Sequence, residues 1–392
     1  MGLHVKPNLR LVLAGYLVRY PIGGQYWHVG HYLIGLRDLG YDVWFYEDTG
    51  YYDLAYDPIR NGLGYDYDYG VHAAAEFLKS IGFGDRWLFA DIKSGKEYGP
   101  GAGRADHLLR EADLFVNLAG INPVPPERRS GRASIYIDTD PAYTQLKLAG
   151  GDQALKTMLN EHTWLFTFGE NIGTSRSPIP TCDYTWVPTR QPVVLNLWSN
   201  PARPKPSYTT VGTWNSIGRE VNYLGETFQW NKRQEWLQYL NLPALTGASF
   251  EMAMDVWRIP ADCERLTRDG WTIIEPLTVS RDPWRYRDYL QQSRGEFTVA
   301  KEMNVRLRSG WFSERSCCYL AAGRPVITQN TGFGDVLPLG LGLHAFKTID
   351  EAADAVRMVE RDYHSASAHA SEVAREYFAA DRVLGSLLRH IG

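Results

Sequence analysis

Two series of short apolar runs alternating with helical patterns, separated by a proline-rich break, constrain this chain more than anything else in it. The first series opens with Leu11–Ala14, a loop from Tyr16 to Gly24, and a helical face carrying Val29, Tyr32, Leu33 and Leu36. Gly40 stands where that helix would stop, and Tyr41–Tyr46 resumes as a strand. Strand-like runs recur at Leu114–Leu118, Ala133–Ile137 and Trp164–Phe168, with helical stretches at His72–Ile81 and Arg104–Ala112. The break is Asn196–Ser207, with three prolines and little apolar content, which is linker chemistry. Alternation then restarts. Strands are expected at Tyr208–Val211, Ser249–Ala253, Trp271–Glu275, Phe297–Ala300 and Pro325–Gln329. Helices are expected at Lys232–Leu240, Trp284–Gln292, Glu314–Ala322, Ile349–Glu360 and His369–Phe378. Strands alternating with helices imply α/β architecture with mainly parallel sheets, here in two halves of similar length.

Charge and cysteine usage remove several function classes. With 41 Lys+Arg against 45 Asp+Glu the net charge is −4, which leaves no electrostatic footprint for a nucleic-acid backbone. No apolar run approaches the ~20 residues that cross a bilayer, and the first residues show no signal-peptide pattern. Four cysteines form neither a disulfide framework nor a zinc pattern, and the vicinal Cys317-Cys318 read as small packing residues. A cytoplasmic location is the expectation.

Two stretches have the chemistry of a phosphate cradle. Gly23-Gly24, between the first strand and the first helix, lets backbone N–H groups approach an anion, although no GxGxxG pattern follows and a plain turn uses the same residues. Arg306–Gly332 combines a turn at Ser309-Gly310, an N-cap at Ser313, a helix through Tyr319, a stop at Gly323, and a polar loop ending in Thr331-Gly332. A helix N-terminus preceded by Lys301, Arg306 and Arg308 suits a diphosphate; an ordinary capped helix with solvated bases fits them equally. Thr213 follows the first strand of the second half, and Lys232 opens a helix behind two aromatics, where a solvated lysine is the plain alternative. Candidate bases are His28, Asp140 and Glu170, each beside a strand end or on the first helix. Structural histidines (His28 and its neighbour His31) and turn-forming aspartate are the competing readings. No carboxylate cluster with metal-like spacing accompanies these motifs, so no metal and no cofactor is expected.

The glycine pair, the helix and Gly40 seventeen residues after Gly23, with Tyr41-Asp42-Val43 in place of His-x-Val, resemble the start of the large retaining family of nucleotide-sugar glycosyltransferases. Leu320-Ala321-Ala322-Gly323-Arg324-Pro325-Val326-Ile327 resembles that family's A-x-G-x-P-V signature, and the run from Gly310 to Leu343 resembles a bacterial subset of it. The resemblance implies a GT-B fold: two Rossmann-like domains facing across a cleft. Residues 1–200 would form the acceptor domain, 201–375 the donor domain, and 376–392 a helix packing back on the first. It implies transfer of a sugar from a nucleotide-diphosphate sugar, such as a UDP-sugar, to a small-molecule or glycan acceptor. Gly23, Gly24, Thr213, Lys301, Arg308, Ser309, Gly310, Phe312, Ser313, Thr331 and Gly332 would bind the donor. One departure stands out: the family's two glutamates, eight positions apart, fall on Gly310 and Cys318, with Glu314 between them and out of register. That departure keeps two alternatives open, a sugar-nucleotide epimerase of the same fold and a catalytically silent sugar-nucleotide-binding protein. Eight tyrosines between Tyr41 and Tyr69, interleaved with aspartates, suit a polyhydroxylated acceptor; a loop packed by its own aromatics explains them too. The identity of the acceptor and the oligomeric state are left open by the residues.

Overall fold

A parallel sheet flanked by helices builds each half of the chain. The computed structural model describes residues 9–129, 133–199 and 203–392. The first sheet has eight strands, in the spatial order Trp186–Pro188, Trp164–Thr167, Ala133–Asp138, Leu114–Leu118, Arg10–Ala14, Asp42–Asp48, Trp87–Asp91 and Lys96–Tyr98. Only the last pair is antiparallel. The second sheet has six strands, all parallel: Trp271–Ile274, Ser249–Met254, Ser207–Gly212, Gly295–Thr298, Val326–Gln329 and Leu343–Phe346. Each order runs outward from the first strand in both directions, so each sheet has a switch point beside its first strand. α/β proteins place their ligands outside the carboxyl ends of the strands at that point.

The expected elements are present with shifted ends, and three differences have physical causes. Lys232–Leu240 is one turn, Arg233–Trp236, followed by turns into a second short helix at Leu242–Thr246. Pro243 there belongs in the first turn of a new helix rather than inside a longer one. His369–Phe378 is the second half of a longer helix, Tyr363–Tyr377, because Asp362 caps it by accepting from the Ser365 N–H. Leu343–Phe346 is an unforeseen sixth strand, too short for periodicity to reveal.

The two halves are tied at several points. The first helix, Gly23–Asp38, lies against the helix Pro283–Gln292 of the second half. Trp27 donates its indole N–H to the Pro283 carbonyl at 2.6 Å, and its ring meets Trp198 and Trp284 edge-on. The last helix, Ala380–Ile391, returns to the first, where a side chain on Gly35 would lie 2.6 Å from Leu384. A small hairpin, Val221–Tyr223 with Glu226–Phe228, leaves the second sheet to pack on the helix Tyr143–Ala149 of the first half. Val221, Phe228 and Trp230 there share one apolar core with Tyr136, Ala142 and Leu146. Among the described residues no helix is long and apolar enough to cross a membrane.

Candidate active site

A cleft of about 360 Å³ opens at the carboxyl ends of the two sheets. Tyr16, Tyr20, Ile22 and Gly24, which follow the first strand of the first sheet, line one side. Gly212-Thr213, Asp255 and Glu275, which follow three neighbouring strands of the second sheet, line the other. Glu314 and Arg315 from the helix Glu314–Ala321 and Tyr286 complete it.

The first-half wall is aromatic and its backbone is locked from beneath. Buried Glu47, at the end of the second strand, accepts the backbone N–H groups of Leu17 (2.7 Å), Val18 (2.8 Å) and Arg19 (2.9 Å), and the Arg19 Nε at 3.0 Å. Burial pushes the Glu47 carboxyl up, while the Arg19 guanidinium and the three amides pull it back. Arg19 also donates to the Tyr52 carbonyl at 2.8 Å. Tyr16 and Tyr20 are thereby presented at fixed positions. The Tyr20 and Tyr56 rings lie 5.3 Å apart, so the Tyr/Asp-rich stretch contributes Tyr56 and Asn61 to the cleft, while Tyr51, Tyr52 and Tyr65 face outward, exposed.

The second-half wall is charged. Arg315 is buried and fully engaged: Nε donates to Glu296 at 2.6 Å, Nη1 to the Val211 carbonyl at 2.6 Å and Nη2 to Thr298 at 3.0 Å. Lys301 donates to Asp140 of the first half at 2.6 Å and lies 3.1 Å from the centre of the Trp230 ring. Lys232, half-buried, has no ion-pair partner among the described residues, and its ammonium lies 5.8 Å from the centre of the Trp311 ring. Desolvation, with Arg315 and Lys301 as like-charged neighbours, pushes it down to about 7 against the opposing pull of Glu296 and Glu314.

The structure divides the sequence candidates into groups. Thr213 and Gly24 line the cleft. Gly23 does not offer an anion loop: it starts the helix, and a Cβ there would stand 2.4 Å from Tyr286 Cβ, so its lack of a side chain lets the two halves approach. His28 is buried beside Gly24 and Glu314, with Nδ1 accepting from the Gln191 amide; burial lowers its pKa. His31 is structural, with Nδ1 accepting the Val194 N–H at 3.1 Å and Nε2 3.0 Å from the Trp198 indole nitrogen. Glu170 is no free base, since Arg190 grips both its oxygens at 2.7 and 2.8 Å. Asp140, the other strand-end carboxylate, is spent on Lys301.

Arg308, Ser309, Gly310, Phe312, Ser313, Thr331 and Gly332 do not line the cleft, and several of them meet Asn171 of the first half instead. Arg308 pairs with Asp335 at 2.8 Å on the rim. Asn171 donates to the Arg308 and Gly332 carbonyls, each at 3.1 Å, and a Cβ on Gly310 would meet the Asn171 nitrogen at 2.8 Å. Ser309 donates to the Asn304 side chain, and Thr331 to the Trp311 carbonyl. Phe312 stacks on Phe378, and the Ser313 hydroxyl makes no capping bond. Cys317 and Cys318 are buried packing residues. Sequence reasoning missed Tyr16, Tyr20, Tyr286 and Arg315, and passed over Glu314. The only available signal was position, just after a strand or at the start of a helix. Among the described residues no group of three or more His, Cys, Asp or Glu side chains is arranged to hold a metal ion.

No protein-family model and no curated protein sequence matches the chain. Solved structures do. AviGT4, a glycosyltransferase involved in avilamycin A biosynthesis, aligns over 97% of this chain and 96% of its own, with TM-score 0.54 and 12% identity. An alpha-glucosyltransferase in complex with UDP and a 13-mer DNA aligns over 98% and 99%, with TM-score 0.64 and 7% identity. Anabaena HepE in complex with UDP-glucose aligns over 98% and 99%, with TM-score 0.54 and 10% identity. This is the GT-B fold. The GT-B cleft is the interdomain cleft described above, and it holds the switch points of both sheets.

Proposed function

We propose that the protein transfers a sugar from a nucleotide-diphosphate sugar to an acceptor hydroxyl, with the donor held by the second half and the acceptor by the first. One observation carries the reading: the cleft joins an aromatic wall to a wall bearing Arg315 and a strand-end Gly212-Thr213, with Lys232 an electrostatic neighbour of Arg315 behind it. Lys232 would meet the diphosphate, helped by the Thr213 hydroxyl and the amides around it; Lys301, shared with Asp140, would add charge on the acceptor side. Flat Tyr16, Tyr20 and Tyr56 faces suit a polyhydroxylated or ring-bearing acceptor. Catalysis would then rest on stabilising the departing diphosphate and on holding the acceptor oxygen at the anomeric carbon. The neighbours with UDP or UDP-glucose support a uridine donor.

The test is incubation with UDP-, dTDP- and GDP-sugars, following released nucleoside diphosphate and the configuration of the remaining sugar. Slow donor hydrolysis is the expected result. Epimerised donor would establish an epimerase, binding without turnover a silent module, and no binding of any sugar nucleotide would sink the reading.

A further inference from the structure

Seven charged groups lie together where the two halves meet: Lys232, Lys301, Arg315 and the exposed Arg219 against Asp140, Glu296 and Glu314. Four of them are joined in pairs, Lys301 with Asp140 and Arg315 with Glu296. Of the other three, Arg219 lies over the Trp230 ring, while Lys232 and Glu314 are opposite in sign, yet among the described residues neither forms an ion pair and Glu314 makes no side-chain hydrogen bond. Glu314 is half-buried and projects from the first turn of its helix into the cleft and into the small chamber beside His28. An acid in a first helical turn ordinarily serves the helix dipole from the surface, hydrated. Here it is held between two domains, where incomplete hydration raises the cost of leaving it without a partner.

We propose that Glu314 is the carboxylate that receives the donor's transferred sugar, accepting hydrogen bonds from its hydroxyls and facing the positive charge that develops at its anomeric carbon. This rests on the reading of the cleft as a sugar-nucleotide site. A separated cation and anion match such a donor at its point of cleavage: the diphosphate goes to Lys232, the sugar to Glu314. The bond from the anomeric carbon to the phosphate oxygen breaks, and its electron pair leaves with the diphosphate. The ring oxygen shares the resulting positive charge. The acceptor hydroxyl oxygen then supplies the pair for the new bond, and its proton passes to the departing phosphate oxygen. A fixed carboxylate beside that charge is worth far more inside a cleft than in water. The reverse orientation would set Glu314 against the diphosphate, anion to anion. Glu314 thus does from a new position what a sugar-facing acid must do, four residues along from Gly310 and four before Cys318.

The experiment compares the intact protein with Glu314→Gln and Glu314→Asp, using UDP binding by calorimetry and UDP-glucose hydrolysis, or the best donor of the panel above. Wild-type binding and hydrolysis test the reading of the site; the variants test this inference. E314Q is expected to hydrolyse donor on the order of 100-fold more slowly, with the Kd for UDP changed less than about threefold and an unaltered melting temperature. E314D, which keeps the charge, should retain more turnover than E314Q. Turnover within threefold of wild type in E314Q, equal loss of UDP binding and turnover, or E314Q exceeding E314D would each overturn the assignment.

Discussion

Each half of the molecule keeps a buried arginine–glutamate pair directly beneath its wall of the cleft, and the two pairs are built differently. In the first half, both Glu47 oxygens are fully used, one by Leu17 and Val18 and the other by Arg19 alone. In the second, Glu296 gives one oxygen to Arg315, and the other is buried without a partner. The first pair is a clamp on a loop: every donor it satisfies lies in residues 17–19, so Tyr16 and Tyr20 stand on a fixed floor. The second pair is a clamp with an acceptor left over, and Lys232 feels both its members, Arg315 pushing its pKa down more than Glu296 holds it up. A wall that only shapes a ligand can have all its polar groups satisfied internally. A wall that must answer a diphosphate cannot.

Glutamine scanning breaks this comparison most sharply. Glu47→Gln places an amide N–H₂ against backbone N–H donors and strips Arg19 of its counter-charge. A loss of about 3 kcal/mol in urea unfolding is expected, the scale of a broken buried pair. Glu296→Gln can turn its amide nitrogen to the side that has no donor and keep its oxygen on Arg315, so a loss of about 1 kcal/mol is expected. Equal losses would show that the two pairs do the same job.

Lys232 gives the next largest effect, and it separates binding from stability. Its folded pKa of about 7 lies below the ordinary lysine value, so between pH 7 and about 10.5 the unfolded chain binds the proton that the folded chain has released. Stability contributed at this position therefore rises with pH across that window, and at pH 7 the lysine is a cost. Lys232→Met should raise the melting temperature at pH 7 while weakening UDP binding about 10- to 50-fold, the loss of a charge-assisted contact. In the wild type, a diphosphate favours the ammonium form. UDP binding at pH 8 should take up a proton, visible by calorimetry in buffers of different ionisation enthalpy. Affinity should then fall as pH rises above 7, by at most about tenfold per unit. Binding at pH 8 without proton uptake would remove Lys232 from the diphosphate site.

The two α/β halves were legible in the sequence because burial on both faces of a parallel strand leaves near-continuous apolar runs; residues 200–202 of the proline-rich break lie outside the described residues. The charge pattern was not. Asp140 and Lys301 are 161 residues apart, and nothing local to either says that they meet. Glu170 looked like a free strand-end carboxylate until Arg190, twenty residues on, took both its oxygens. The Arg306–Gly332 run had the composition of an anion cradle, yet its Gly310 and the carbonyls of Arg308, Ser309 and Gly332 are used to seat Asn171 of the other half. In each case the residue type was read correctly as reactive or permissive, and a distant partner decided its use. Gly23 shows the same thing in reverse: a glycine suited to a phosphate loop is there because Tyr286 packs on it.

The Lys301–Asp140 pair is the smallest lever and the one that decides between two roles for Asp140. The carboxylate is 40% exposed and the lysine 16%, so their attraction is screened on one side, and removing it should change stability by no more than about 1 kcal/mol. If Asp140 served as the base for the acceptor hydroxyl, Asp140→Asn would slow transfer by a factor on the order of 100 to 10,000. The geometry argues against that role: the carboxylate is held 2.6 Å from an ammonium that is itself seated on the Trp230 ring. Asp140→Asn should therefore reduce turnover by less than tenfold. The effect should fall mainly on the KM for the acceptor, because the freed Lys301 loses its anchor on the acceptor wall. A large drop in kcat with an unchanged KM would return Asp140 to the chemistry, and the first wall would then do more than shape its ligand.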